Sequence, residues 1–204
     1  MVVNCLMWIV FLGSLGFLHG TFVTNTTESL NKYGLSESII SFEPLDESPV
    51  KVTGAFTNVK DDGEHAYGYT VNVWKQEEKI YGFVSSIQGL SGDPPTGILE
   101  EVEFDSKTKK LSFMAKLSLG KVYDKNYNGV WSQDVFKFEG VLMSKKLVGE
   151  LTIRNELYPE KPSERKKIYL RLSKDQSSAM SDFPNYSEWK AYADEILKFR
   201  GPKW

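Results

Sequence analysis

Cysteine and histidine are almost missing from this chain. Cys5 is the only cysteine in 204 residues, and His19 and His65 are the only histidines. Cys5 sits in an N-terminal apolar run, so a chain that loses the run keeps no thiol. Disulfides, a thiol nucleophile and a thiolate zinc site are then excluded in any redox compartment. The residues before it, Val2-Val3-Asn4, do not make the apolar-small-small approach of a lipid-attachment cysteine. His19 closes the same run, which leaves His65 alone for acid–base chemistry. No Gly-x-Ser-x-Gly turn is present, since Gly89-Leu90-Ser91-Gly92 fails the pattern. One loop histidine does not make a triad. The sequence points away from enzymes, and a hydrolase with unrecognised reactive residues is the alternative kept open.

A membrane-length hydrophobic run is lacking too. Residues 5–18, CLMWIVFLGSLGFL, match the core of a signal peptide and fall short of the ~20 residues a membrane helix needs. No Lys or Arg precedes the run, and Leu18-His19-Gly20 has a small residue only at its last position. We expect residues 1–20 to be a signal peptide. The alternative is a retained N-terminal anchor over Val2–Val23, which would be the chain's one membrane contact. The expected location is therefore exported, periplasmic or extracellular. Residues 21–49 read as a linker, polar and acidic, with Pro44 and Pro49 at its end and at most a weak helix over Thr27–Lys32. Two sequons, Asn25-Thr26-Thr27 and Asn185-Tyr186-Ser187, matter only in a glycosylating host.

Strong net charge of either sign is absent, at −2 overall. The distribution is uneven: residues 1–104 hold 5 basic and 14 acidic side chains, and residues 105–204 hold 20 and 13. The halves can give a dipolar surface or attract one another. A nucleic-acid partner is not indicated, because such a chain would be basic overall or carry a denser stripe. The densest cluster, Arg165-Lys166-Lys167, reads as a solvated loop end that also protects a strand edge.

What is plentiful is alternation of period two. Runs at 50–60, 67–75, 79–87, 98–104, 111–119, 135–143, 147–155 and 167–172 carry apolar residues on alternate positions. The clearest sets Leu111, Phe113, Ala115, Leu117 and Leu119 against Ser112, Met114, Lys116 and Ser118. Asp61-Asp62-Gly63 and several short polar stretches supply turns, and Gln88–Gly97 supplies a Gly/Pro-rich loop. Short connections make neighbours antiparallel. The expected fold is mainly β: an eight-stranded antiparallel meander closed as a barrel, or a two-layer sandwich, over residues 50–175. Residues 176–204 add one amphipathic helix. Trp189, Ala193, Ile196 and Arg200 fall at helical spacing with Tyr192 and Leu197. Asn185 or Ser187 caps the start and Gly201-Pro202 ends it. Its apolar stripe must be buried, across the barrel wall or in one end.

Gly54-Ala55-Phe56 in the first strand and Arg171 in the last resemble the Gly-x-Trp and basic residue of calycin-like, lipocalin-type barrels, with Phe in place of Trp. The resemblance implies a barrel followed by a helix and supplies no ligand. The spacing of Phe138-Glu139-Gly140 and Leu147-Val148-Gly149 is similar to that in small exported bacterial β-proteins of unassigned function.

Candidate sites are few. Asp124-Lys125-Asn126-Tyr127-Asn128-Gly129 fits the opening of a calcium loop, with Asp124, Asn126, Asn128 and Asp134 as ligands. The twelfth position is Val135 rather than an acid, so weak calcium binding is the most it allows, and an Asn-Gly hairpin loop is the favoured reading. No other cofactor is indicated. Glu64 and His65 beside Asp61 and Asp62 read as a polar hairpin tip. Glu101 and Glu103 share a solvated strand face rather than a glycosidase pair. Tyr123, Tyr127 and Trp131 form an aromatic rim where a small apolar ligand, a glycan or a protein partner can touch. The expected function is a non-enzymatic binding module for a small ligand or for a partner at this rim. The alternative is a structural or inhibitor-type envelope protein with no small ligand.

Overall fold

Alternation of apolar residues becomes a curved antiparallel sheet in the structure, a computed structural model that describes residues 48–89, 94–123 and 125–197. The expected signal or anchor, nearly all of the 21–49 linker, the Thr27–Lys32 helix and Asp124 lie outside the described residues. The strands are β1 Lys51–Thr57, β2 Lys60–Asp61, β3 Ala66–Gln76, β4 Lys79–Gly89, β5 Thr96–Ile98, β6 Glu100–Asp105, β7 Lys110–Leu117, β8 Lys121–Tyr123, β9 Asn128–Trp131, β10 Asp134–Met143, β11 Lys146–Asn155 and β12 Glu164–Ser173. Helices α1 Lys174–Ser178 and α2 Tyr186–Leu197 follow.

The main sheet runs β5-β4-β3-β1-β12-β11-β10-β7-β6, with β2 paired to β3 alone. Its two end strands, β5 and β6, are consecutive in the chain. That stretch crosses from one partner to the other at Leu99: β5 pairs with β4 and β6 pairs with β7. The Leu99 N–H donates to the Gly82 carbonyl at 2.9 Å. Thr96 and Leu119 exchange two backbone hydrogen bonds of 3.2 and 3.1 Å. A Cβ on Gly97 would stand 2.3 Å from the Lys116 carbonyl oxygen, so only glycine lets β5 approach β7 here. The sheet is thus nearly closed as a barrel, and closure removes the exposed edges.

The strand count differs from the expected eight. The main sheet holds ten strands, because the 98–104 run is split by its change of partner and the first run adds the short β2. Residues 121–131 add a separate hairpin, β8–β9. Within it Tyr123 pairs with Asn128, and Gly129, at φ 71°, forms a bulge. The Asn-Gly pair is therefore strand, and the described bend before it is at 125–126. Arg165-Lys166-Lys167 lies on a part of β12 that pairs with β11 alone, because β1 meets β12 only at Arg171, Leu172 and Ser173.

The barrel interior is filled. Phe56, Val71, Val84, Leu111, Phe113, Leu117, Phe136, Phe138, Leu151 and Leu170 are all buried in one cluster. Phe113 and Phe138 stack with centroids 5.0 Å apart. A second cluster lies outside the wall, where Trp74 and Phe83 of β3 and β4 meet Trp189 and Ala193 of α2. The helix therefore lies across the wall and plugs neither end. Asn185 caps it, its Oδ1 accepting from the Glu188 N–H at 3.0 Å. The buried stripe is narrower than its spacing suggested: Trp189 and Ala193 are buried, while Tyr192 and Ile196 stay exposed. The chain between β12 and α2 is pinned to β1. Ser177 Oγ accepts from the Ala55 N–H at 3.0 Å, and Asp182 accepts from the Val52 N–H at 2.8 Å.

The pairing implied by the calycin resemblance is not made. Phe56 points into the core opposite Leu172. Arg171 pairs with Thr57 and lies on the outer face, over the ring of Tyr169 at 5.6 Å.

Candidate functional site

Period-two alternation decides what the barrel presents at each end. At the end where β3 begins and β4 finishes, the last inward-facing residues turn polar. Asp134 continues the inward row Phe136-Phe138 of β10, and Asn155 continues the row Leu151-Ile153 of β11. Lys166 and Glu164 continue the row Leu170-Ile168 of β12, and Gln88 and Ser86 continue that of β4. Of these, Asp134, Asn155, Glu164, Lys166 and Gln88 line a cavity of about 420 Å³, floored by Phe136 and Ile153 and flanked by Lys121 and Lys161. Below that floor the packed interior begins.

The mouth holds the most perturbed buried carboxyl among the described residues. Asp134 is 9% exposed. Burial raises its pKa from the ordinary aspartate value, and hydrogen bonds from Ser132 and Asn155 oppose the rise only in part. Ser132 Oγ, itself fully buried, donates to it at 3.1 Å. Across the cavity Lys166 Nζ lies 3.0 Å from Glu164 and donates to the Tyr69 hydroxyl at 3.3 Å. Burial pulls the Lys166 pKa down, but its bonds to Glu164 and Tyr69 outweigh that and hold the ammonium above its ordinary value. The site therefore offers a cation on one wall and, on the other, a buried carboxyl whose pKa is raised, above Phe136 and Ile153. Such a set can orient a small polar molecule.

The aromatic rim behaves unevenly. Tyr127 is an anchor: its hydroxyl donates to the Leu157 carbonyl at 2.9 Å, and its ring meets Tyr158 edge-on at 5.1 Å. Trp131 is 42% exposed, with Lys121 Nζ 5.0 Å from its ring centroid. Tyr123 lies in β8. The proposed calcium ligands are drawn to different partners. Asn126 donates to the Tyr158 hydroxyl at 3.1 Å, Asp134 turns into the mouth, and Asn128 is exposed on β9. No group of three or more His, Cys, Asp or Glu side chains spaced to hold a metal occurs among the described residues.

At the hairpin tip, Asp61 Oδ1 accepts from the Gly63 N–H and Asp62 Oδ1 from the N–H groups of Glu64 and His65. Both carboxylates are occupied in shaping the turn. The His65 ring stacks on Tyr67 at 6.1 Å. Glu101 and Glu103 are exposed on β6. A second cavity, of about 540 Å³, lies outside the barrel between β3–β4 and the chain leading to α2. Thr70, Asn72, Trp74, Met180, Phe183 and Tyr192 line it, and no charged side chain does. Sequence reasoning missed Lys166 and Glu164. The signal was available, because extending the Ile168-Leu170 row two steps towards the N-terminus places both on the inward face.

No family model matches the chain, and no curated protein or solved structure matches it.

Proposed function

We propose that this protein is an exported, non-enzymatic binding module that receives a small polar ligand at the mouth of its barrel, beside the loop rim. The observation that carries the reading is the mouth itself: Asp134 and Lys166 face one cavity of about 420 Å³ over Phe136 and Ile153. The filled interior argues against a ligand held deep inside, as the calycin resemblance would have it. That resemblance survives as architecture only, a barrel followed by a helix. Native mass spectrometry of the purified full chain tests the proposal, with Asp134→Ala and Lys166→Ala beside it. We expect a small-mass adduct on the wild type that both variants lose. No adduct on the wild type, or one that both variants retain, counts against ligand binding at the mouth.

A second reading, a structural or inhibitor-type envelope protein, is favoured by the same filled interior and by the exposure of Trp131. In that case a protein partner meets the rim, and Trp131→Ala weakens the complex while the mouth variants leave it intact.

A further inference from the structure

The helices cover the outer face of β1, β3 and β4, and on the opposite wall most outward side chains beyond the buried Val135 reach solvent. On β10, β11 and β12 fifteen residues face outward, and their order is set by register. Lys146 stands opposite Arg171, Val148 opposite Tyr169, Glu150 opposite Lys167, and Thr152 opposite Arg165. On β10, Val141 and Met143 stand opposite Val148 and Lys146. The outward set holds six cations, completed by Lys137 and Arg154, against two carboxylates, Glu139 and Glu150. A local excess of four positive charges in a chain of net −2 is a patch with a sign.

Three features separate this wall from an ordinary solvated face. Lys137, Lys146 and Arg171 are each paired on both sides within the sheet, so these cations guard no edge. Towards the β10–β11 turn the wall is apolar: Tyr169 is 47% exposed and Met143 40%, next to Val141 and Val148. A shallow depression of about 420 Å³ opens there, lined by Val148, Gly149, Glu150, Lys167, Ile168 and Tyr169. Lys146 and Arg171 border this part on one side, Lys146 Nζ 5.8 Å and Arg171 5.6 Å from the Tyr169 ring centroid, and the row Glu139-Glu150-Lys167 borders it on the other. From strand spacings the wall measures roughly 30 Å by 15 Å.

We propose that this wall docks on an anionic phospholipid surface. Basic side chains beside exposed Tyr and aliphatic groups match both layers of a bilayer interface: headgroup phosphates for Lys146, Lys167 and Arg171, the headgroup–acyl boundary for Tyr169 and Met143. An acidic protein would satisfy the cations and leave Tyr169, Met143 and their depression without a counterpart.

The test is co-sedimentation of the full chain with vesicles of phosphatidylcholine alone and of phosphatidylcholine with phosphatidylglycerol, at low and high salt. The N-terminal apolar segment can enter either kind, so the readout is the difference between them. Wild type should bind the anionic vesicles at least about tenfold more tightly than the neutral ones, with the preference fading as salt rises. The double variant Lys167→Glu, Arg171→Glu changes the wall by four charges and should lower affinity for anionic vesicles on the order of 100-fold. Its thermal midpoint shows that it folds, and Tyr169→Ser provides a milder second variant that should weaken binding without removing the salt dependence. Equal binding to both vesicle types overturns the proposal, as does a folded double variant that binds like wild type. Binding of poly-glutamate but not of vesicles would also overturn it, in favour of an acidic protein partner.

Discussion

Gly140 and Gly149 stand opposite each other on β10 and β11, and the ring of Phe138 lies over both. A Cβ on Gly140 would stand 2.5 Å from that ring and 2.3 Å from the Val148 carbonyl oxygen. One on Gly149 would stand 2.8 Å from the ring and 2.3 Å from the Glu139 carbonyl oxygen. Two missing side chains thus make the space in which Phe138 stacks on Phe113 at the centre of the core. Either glycine replaced by Ala should cost at least ~1–3 kcal/mol by overpacking, because backbone atoms as well as a ring must move. Urea unfolding with an unchanged m-value would measure it.

Two tryptophans in the outer cluster should respond differently to the same change. Trp74 Nε1 donates to the Ser181 carbonyl at 2.9 Å, whereas the buried Trp189 Nε1 has no hydrogen-bond partner among the described residues. Trp74→Phe therefore loses packing and a bond, and leaves the Ser181 carbonyl short of a donor. Trp189→Phe loses packing alone. We expect Trp74→Phe to be the more destabilising by about 1 kcal/mol, and to raise proteolysis between β12 and α2, where that bond holds the chain to the wall.

Asp134 predicts a pH dependence of a definite sign. Its folded pKa is raised above the ordinary 3.8 by burial. Between those two values the folded chain holds a proton that the unfolded chain has released. Stability therefore falls as pH rises through that window and is level above it. Asp134→Asn, with the same shape and no charge, should flatten this fall and be the more stable protein above the window. Chemical denaturation at about one-unit steps from pH 4 to 8 would show it, and parallel curves for the two proteins would refute it.

The rim aromatics should separate stability from recognition. Tyr127→Phe removes a hydroxyl that donates to the Leu157 carbonyl and should cost roughly 1 kcal/mol. Trp131→Ala, at an exposed position, should change stability by under ~0.5 kcal/mol and act only on binding at the rim.

Calcium should leave Trp131 fluorescence unchanged up to ~10 mM, beyond the weakest extracellular sites. Asn126 is drawn towards Tyr158, and Asp134 turns into the mouth with Ser132.

Much of the barrel was legible in the chain because alternation is local. Leu111 to Leu117 sorts itself to one face whatever lies across from it, and Trp189 and Ala193 do so along a helix. The chain also carried Asp134 as a candidate, though as a late position in a calcium loop. Its place as the outermost inward residue of β10 depends on where that strand starts. Lys166 went unnoticed because its row ends in a charge rather than an apolar residue.

What only the tertiary structure decided is which neighbours these local faces meet. Trp74 points away from the barrel by its period and is buried nonetheless, because α2 returns over β3 and β4. The run at 98–104 reads as one strand, and it divides at Leu99 because the chain on its two sides hydrogen-bonds to strands on opposite sides of the closure. Gly140 and Gly149 are nine residues apart in sequence, and only the β10–β11 register makes them one space. The basic residues of the second half are scattered along the chain, and pairing of β10, β11 and β12 gathers them on one wall. Periodicity is a property of consecutive residues and survives in the sequence. Register and coverage depend on partners far along the chain and are set only when the barrel closes.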